Sequence, residues 1–253
     1  LKRLNHKGYI NSYEFPYPKK ADSVAYQNCI AESSLRFADT ISRNLKADEL
    51  QIVVGGDHSV SLASVIALFK RISPDKIGYI QIDSHADINT FSSSPSGNFH
   101  GMHVRALFEN FDSTIISKTV KGNILPANLI YIGNLDLDPG EAEFIGKHSI
   151  RVIQRPELTA SKNTIYKELN AFISRLEHIH VSFDIDVFDH SVVEATGIPS
   201  PDGLFPEEVY PVLKLISGLA KSISVDLVEV NPKKRNATKT ISVAQEVLIH
   251  LLQ

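Results

Sequence analysis

The chain has 253 residues, of which 43% are hydrophobic, and this is enough apolar material for the core of one large domain. Its net charge is −3 and the charges are well mixed, so no basic stripe indicates a nucleic-acid partner. No stretch has the apolar length of a membrane span, and no apolar signal core follows the basic N-terminus. We therefore expect a cytoplasmic protein with no membrane partner. The single cysteine, Cys29, excludes an internal disulfide and a cysteine-based zinc site.

Taken in chain order, the first twenty residues are polar, aromatic and proline-rich, and they predict a surface segment with at most one short strand. Beyond them, apolar runs rich in branched residues predict strands at 51–54, 77–82, 129–132, 149–153, 179–183 and 222–230. Helical spacing of apolar residues predicts helices at 22–45, 59–71, 104–111, 139–147, 161–176, 206–215 and 238–251.

This alternation of strands and helices predicts an α/β fold, a single three-layer αβα domain over residues 1–253 with a mostly parallel central sheet. In such sheets, sites lie beyond the carboxyl ends of the strands. The loop from Ser84 to Gly101 follows one of these ends and is rich in Ser, Gly and Asn, without periodicity. A loop of this length inside a compact domain is usually functional or disordered.

Asp83, His85 and Asp87 follow the predicted strand 77–82 at alternate positions. In an extended segment alternate side chains leave from the same side, so these three can converge on one point. Two carboxylates at the end of a buried strand repel each other and lose hydration unless a positive charge lies between them. A divalent metal ion is the most economical explanation.

Two further strand ends carry the sequences Gly-Gly-Asp-His-Ser (55–59) and Ser-Phe-Asp-Ile-Asp (182–186). Each has an ordinary structural explanation, because His58 could begin a helix and the two aspartates could cap a turn. Three such motifs at strand ends make coincidence a poor explanation. Together they offer two histidines and four aspartates, which are His58, His85, Asp83, Asp87, Asp184 and Asp186.

Oxygen-rich ligands with two imidazoles suit Mn²⁺ or a similar hard-to-borderline ion. Four carboxylates exceed what one cation needs. Two divalent ions about 3.5–4 Å apart, bridged by aspartate and water, would balance them and generate hydroxide near neutral pH. A bridging hydroxide would leave the centre slightly negative, and this favours a cationic substrate.

These three motifs, in this order, resemble those of the ureohydrolase superfamily. Four further segments resemble the arginases in particular: Ser96–Gly101, Asp136–Glu141, Ala195–Pro199 and Val228–Pro232. The resemblance runs from about Val53 to the final helix. It implies an arginase-like fold and the hydrolysis of L-arginine to L-ornithine and urea by a metal-bridging hydroxide at a binuclear centre with two Mn²⁺ per subunit.

The resemblance also implies a role for individual residues. The implied ligands of one ion are His58, Asp83, Asp87 and Asp184, and those of the other are Asp83, His85, Asp184 and Asp186, with Asp83 and Asp184 bridging. The residues implied in catalysis are Asp87, His100 as proton shuttle and Glu229, which would face the guanidinium group, with Thr196 adding a supporting hydrogen bond. The structural alternative for Glu229 is a salt bridge to the basic run 233–235. His103 receives no role.

The amino-acid end of the substrate is assigned to loop residues by the same resemblance. Asn89, Ser96 and Asn98 would receive the α-carboxylate, and Asp138 would receive the α-amino group with help from Glu141. Asp138 to Glu141 also has the pattern of a helix capping box, and both roles are compatible.

The sequence departs from the family in three places. Leu135 stands where arginases often carry arginine. No Gly-rich loop precedes Leu1, so we expect the family's N-terminal strand to be absent. Any oligomerisation tail after the last helix is missing or short, and a homo-oligomer, a trimer or hexamer, is implied by the family alone.

Three alternatives remain. An agmatinase or another guanidino-hydrolase would leave Asn89 and the Ser-Gly-Asn segment without a carboxylate to bind. A metal-dependent deacetylase of related fold needs one zinc and would leave His58 and Asp87 unexplained. A non-catalytic arginase-like protein would have no reason to keep six polar ligands that are costly to bury.

Overall fold

The central layer of the molecule is one parallel β-sheet. A computed structural model of the chain describes residues 23–46, 49–160 and 162–252, so the predicted N-terminal surface segment lies outside the described residues. Its strands are β1 (Ile52–Val54), β2 (Ile77–Ile82), β3 (Leu129–Ile132), β4 (Arg151–Ile153), β5 (His178–Asp184) and β6 (Ile223–Val228). Within the described residues the strand order is β1-β6-β5-β2-β3-β4, and every neighbouring pair is parallel.

Helices cover both faces of this sheet. They are α1 (Ser23–Asn44), α2 (Val60–Phe69), α3 (Thr114–Val120), α4 (Pro139–Lys147), α5 (Arg155–Ala160), α6 (Lys162–Ser174), α7 (Pro206–Leu219) and α8 (Ala237–Leu251). One apolar core holds side chains of α1 to α4, such as Leu62 and Ile116, and a second holds side chains of α5 to α8, such as Leu169 and Val247. The predicted three-layer α/β fold with a parallel sheet is confirmed. None of the helices in the described ranges is long and apolar enough to cross a membrane.

The predicted helix at 104–111 is wrong. Only a short 3₁₀ turn, Arg105–Leu107, forms there, because the Arg105 guanidinium donates to the carbonyl oxygens of Glu109 and Asn110 at 2.9 and 3.0 Å and holds the chain in a turn. The missed helix α3 follows, with the Ser113 hydroxyl as its N-cap, accepting from the Ile116 amide. The predicted helix at 161–176 is likewise preceded by the separate short helix α5.

Strands β5 and β6 carry more buried polar residues than strands of a parallel sheet usually do. Strands β5 and β6 direct apolar residues such as Phe183 and Leu227 toward α5 to α8. Because side chains alternate along a strand, the opposite face carries buried polar groups. We call these the polar stripe, which consists of His178, His180, Ser182, Asp184, Ser224 and Asp226. Helix α2 packs on it through hydroxyls, since Ser64 Oγ donates to Asp226 Oδ1 at 2.7 Å and Ser61 Oγ lies 3.3 Å from Ser182 Oγ.

Candidate metal centre

The buried imidazole of His58 faces three carboxylates. It lies just before α2, and its Nδ1 is 3.0 Å from Asp87 Oδ2, 3.2 Å from Asp184 Oδ2 and 3.3 Å from Asp83 Oδ2. This nitrogen nevertheless has no hydrogen-bond partner among the described residues, whereas Nε2 lies 2.7 Å from Ser182 Oγ. Buried polar atoms without a partner are rare in proteins. A nitrogen and three carboxylate oxygens around an unsatisfied position are a set of donors that fits a divalent cation.

A second group of ligand atoms adjoins the first and shares Asp83 with it. His85 Nδ1 lies 3.3 Å from Asp186 Oδ2 and 3.6 Å from Asp83 Oδ1. Oδ1 of Asp186 is buried and also lacks a hydrogen-bond partner in the part of the chain that the structure describes. Asp83, His85 and Asp186 could therefore hold a second cation beside the one at His58. The structure brings all six predicted metal ligands together at the carboxyl edge of the sheet.

Strands β2 and β5 end in the same local geometry. The Asp83 carboxylate accepts a hydrogen bond from the His85 amide at 2.7 Å, and the Asp184 carboxylate accepts one from the Asp186 amide at 2.8 Å. Such a turn closed by an aspartate side chain redirects the chain within two residues. Strands β2 and β5 are neighbours, with Ile82 opposite Phe183, so the two turns lie side by side. This register explains why motifs about one hundred residues apart meet.

The charges of this cluster are unbalanced without a cation. Burial and the neighbouring aspartates raise the pKa of Asp184 well above its usual range and that of Asp186 to about 6. Burial disfavours the charged imidazoles, but contacts with the aspartates outweigh it, raising the pKa of His58 well above its usual value and that of His85 to about 12. The raised pKa values mean that these aspartates and histidines bind protons more readily than usual, because the cluster has an excess of negative charge. A divalent ion would neutralise this excess.

Asp87 and Glu229 reach the site from strained backbone. Their φ angles are +52° and +62°, in the left-handed region that residues other than glycine rarely adopt. Residues held in this way cluster at functional sites. Glu229 Oε1 accepts a hydrogen bond from the His58 amide at 2.9 Å, and burial raises the pKa of this carboxyl to about 7.

The alternative role of Glu229, a salt bridge to the basic run, is not what the described residues show. No lysine or arginine in those ranges pairs with it, and Lys234 Nζ instead donates to the carbonyl oxygens of Thr196 and Gly197. The Thr196 hydroxyl is buried and has no hydrogen-bond partner in those ranges.

The predicted proton shuttle, His100, lies beside the same cluster on the 3₁₀ turn Phe99–Met102. Its Nδ1 is 3.9 Å from Asp57 Oδ2, and the interaction with this carboxylate raises the pKa of His100 above its usual value. About a third of its side chain is exposed. An imidazole open to solvent on one side can exchange protons with it.

The residues predicted to bind the amino-acid end lie along the loop and the start of α4. Asn89 Nδ2 donates to Asp138 Oδ2 at 2.8 Å, so the predicted carboxylate and amino contacts are neighbours. Ser96 is exposed and Asn98 is half-buried, and the Asn98 amide donates to Ser96 Oγ at 3.1 Å.

Glu141 differs from the other predicted substrate contacts because it is buried with both carboxylate oxygens engaged. They accept from the amides of Asp138 and Ile88 at 3.0 and 3.1 Å, so the side chain fastens the loop from Ser84 to Gly101, which we call the ligand loop, to α4. Its assistance to a substrate stays a prediction.

Two residues at the centre received no role from the sequence. Ser182 holds Nε2 of His58, and its place two residues before Asp184 on a strand is a signal that could have found it. His103 is fully buried, and its ring stacks on His58 with centroids 4.1 Å apart and an interplanar angle of 29°. With His58 and Asp87 it forms a third group of potential ligands, which no local pattern indicates.

The chain is similar to arginases in both sequence and structure. The sequence pattern of the arginase family matches residues 13–253. The chain is 29% identical over 231 residues to the arginase of Entamoeba histolytica, covering 88% of this chain and 78% of that protein. It is 33% identical over 196 residues to an arginase of Staphylococcus aureus, covering 76% of this chain and 64% of that protein, less than two thirds of its length.

Among solved structures, the Entamoeba histolytica arginase in complex with L-ornithine superposes with a TM-score of 0.82. This alignment has 28% sequence identity and covers 89% of this chain and 76% of that one. The similarity in fold therefore agrees with the match to the family pattern.

Proposed function

Since the chain belongs to the arginase family, we propose that it is an arginase, which hydrolyses L-arginine to L-ornithine and urea. Family membership supports a metal-dependent hydrolase that acts on an amidine or guanidino C–N bond. The observation that most supports the finer assignment is the pair of ligand groups sharing Asp83, beside the hydrogen-bonded pair Asn89 and Asp138. The two ligand groups could hold the ions that act on a guanidino group, and Asn89 and Asp138 could bind the charged end of an amino acid.

Two Mn²⁺ ions fit the donor atoms. The residues that would hold them are His58, Asp83, Asp87, His85, Asp184 and Asp186. His58 Nδ1 and Asp186 Oδ1, which have no hydrogen-bond partner within residues 23–46, 49–160 and 162–252, are the atoms that a cation would satisfy. When bound, the two ions supply positive charge that makes water a nucleophile near neutral pH. Ser182 would then accept the Nε2 proton of His58 and fix the tautomer that leaves Nδ1 free.

Glu229 is suited to the guanidinium group of the substrate. Its Oε1 already accepts from the His58 amide, which leaves Oε2 for a charge-assisted bond. A Cβ at position 197 would lie 2.8 Å from this Oε2, so Gly197 keeps the oxygen accessible. His100, protonated more readily because of Asp57, would deliver a proton to the departing amino group.

The α-carboxylate of arginine would be received by Asn89, Ser96 and Asn98, and its α-ammonium group by Asp138. Donation from Asn89 to Asp138 arranges the pair before a substrate arrives. The Thr196 hydroxyl, which has no partner within the described residues, is free to add a hydrogen bond. The Entamoeba relative was solved with L-ornithine, the product proposed here.

Urea release with Mn²⁺ tests the proposal, with arginine and agmatine compared as substrates. We expect a preference for arginine, because agmatine has no carboxylate for the loop residues. We expect Asp186→Ala to lose more than about tenfold in activity, since it removes a ligand of one ion. Asp202→Ala, which removes a carboxylate with an 83% exposed side chain, is the matched control and should act like wild type.

The alternatives predict different results. A preference for agmatine would replace arginase with agmatinase, and activity on neither compound despite bound Mn²⁺ would favour another guanidino-hydrolase or a non-catalytic protein. Equal activity of Asp186→Ala and wild type would contradict the binuclear centre.

Two further parts of the proposal come from the family and from sequence patterns. The trimeric or hexameric homo-oligomer stays a prediction, which sedimentation analysis of the purified chain would test. The cytoplasmic location also stays a prediction, which cell fractionation would test.

A further inference from the structure

His103 is a fully buried residue beside the metal centre that the proposed mechanism does not use. Its side chain has no solvent exposure, and both of its ring nitrogens have polar neighbours. Nδ1 lies 2.9 Å from the carbonyl oxygen of His100 and 3.5 Å from Asp87 Oδ2, and Nε2 lies 3.2 Å from the Tyr79 hydroxyl.

These contacts determine where the proton of the ring lies. A carbonyl oxygen can only accept, so Nδ1 of His103 must carry the hydrogen and donate it to His100. The neutral ring then has a lone pair on Nε2, which accepts from the Tyr79 hydroxyl. With a proton on Nδ1, the atom nearest to Asp87 is a donor, and His103 therefore does not serve as a metal ligand in this arrangement.

The same ring touches the first ligand group. It stacks on His58 at a centroid distance of 4.1 Å, and so limits rotation of the imidazole whose Nδ1 faces the carboxylates. Backbone bonds join the two segments around it, from the Val104 amide to the Asp87 carbonyl and from the Asn89 amide to the Gly101 carbonyl, both 3.2 Å. His103 thus lies where the 3₁₀ turn Phe99–Met102, the ligand loop and the start of α2 meet.

We propose that His103 is a positioning residue with two separable functions. Its flat face keeps His58 oriented for metal binding, and its Nδ1–H holds the His100 carbonyl and thereby the position of the shuttle imidazole. Tyr79 favours this ring orientation, because its hydroxyl donates to Nε2 of His103. The second function rests on the proposed function, since it concerns His100 as a proton shuttle.

Two substitutions separate these functions. His103→Phe keeps an aromatic face against His58 but has no donor, and combining it with Tyr79→Phe avoids leaving a buried hydroxyl unpaired. His103→Asn keeps an amide donor near the Nδ1 position but has no ring to stack. His178→Asn is the matched control, because it replaces another buried histidine, whose ring nitrogens bond to Ser222 and Ser224 at the opposite edge of the sheet.

Mn²⁺ affinity by titration calorimetry and steady-state kinetics at saturating Mn²⁺ are the two measurements. For the Tyr79→Phe/His103→Phe variant we expect Mn²⁺ affinity within about threefold of wild type, kcat at least about tenfold lower and KM within about twofold. For His103→Asn we expect Mn²⁺ affinity at least about tenfold weaker and kcat within about threefold. The control should match wild type in both.

Equal losses of affinity and kcat in both variants would overturn the proposal, because general loosening would produce that result. Wild-type values in both variants would also overturn it. If wild type binds Mn²⁺ but releases no urea from arginine, the proposed function fails, while the affinity comparison still decides the first part of this inference.

Discussion

At the scale of single residues, the metal centre depends on the contact that orients the imidazole of His58 through its second ring nitrogen. Its Nδ1 faces three carboxylates and its Nε2 contacts the buried hydroxyl of Ser182. A ligand histidine generally has such a partner on its second nitrogen, which fixes the tautomer and the ring orientation. Ser182 is itself 3.3 Å from Ser61, so α2 contributes to the same contact from the other side.

We predict that Ser182→Ala weakens Mn²⁺ binding by about 10- to 100-fold, because it removes the acceptor that orients His58. Equilibrium titration with Mn²⁺ measures this directly. Ser61→Ala is the matched control, since it removes a hydroxyl near Ser182 without removing the contact to His58, and its affinity should stay within about threefold. Equal effects of the two changes would show that Ser182 acts only through packing.

At the scale of elements, the end of β3 approaches the end of β2 more closely than any side chain would allow. A Cβ at Gly133 would lie 1.9 Å from the carbonyl oxygen of Asp83, and the φ angle there is +153°. The Asp83 amide donates to Ile132 and the Gly133 amide donates to Ile153, so backbone bonds across three strands hold this approach. The ligand Asp83 is therefore positioned partly by a glycine on a neighbouring strand.

We predict that Gly133→Ala lowers the free energy of unfolding by about 3 kcal/mol or more, because the clash is with backbone that cannot move aside. Urea denaturation measures the change. Gly146→Ala is the control, because a Cβ there meets nothing within 4 Å and α4 should gain about 0.5 kcal/mol. A small effect at position 133 would mean that β3 can shift away from β2.

The polar stripe gives the sheet a pH-dependent stability. Burial lowers the pKa of His178 to about 4, so this side chain is neutral when folded and gains a proton more easily when the chain unfolds. A lowered folded pKa means that the stabilisation is present above the unfolded pKa of about 6.5 and is lost as pH falls toward 4.

We expect the His178 contribution to lower the free energy of unfolding by about 2 kcal/mol between pH 7 and pH 5. Denaturation of wild type and His178→Gln at both pH values isolates its share, because Gln does not titrate. The gap between the two proteins should narrow by that amount at pH 5. Parallel behaviour at the two pH values would contradict the assignment.

At the scale of the whole molecule, the fold and the proximity of the three ligand motifs could be predicted from the sequence. Strands β2 and β3 have their predicted bounds because a polar residue or a glycine stands at each end of the two apolar runs. Helix α3 was missed because it is short and the decisive contacts are those of Arg105 just before it. His103 and Ser182 could not be assigned roles, since their partner His58 is distant in sequence and only the packed sheet brings them to it.

Metal binding should stabilise the entire fold, because it relieves repulsion between buried carboxylates of β2 and β5. An ion present at 100 times its dissociation constant adds about 2.7 kcal/mol, which for a chain of this size raises Tm by about 5–10 °C. Thermal denaturation with Mn²⁺ and with a chelator measures the difference. The same Tm in both conditions would contradict a metal centre built from these residues.

The strand order also has a consequence for how the protein is made. Strands β5 and β6 lie between β1 and β2, yet they are translated last. About one hundred residues separate the end of β2 from the end of β5, which is about 5–20 s of synthesis. During that interval the inner edge of β2 has no partner strand, and an open edge is a template for pairing with other chains. The strand order that unites the two ligand groups thus leaves this edge of β2 open for pairing with other chains until β5 has been made.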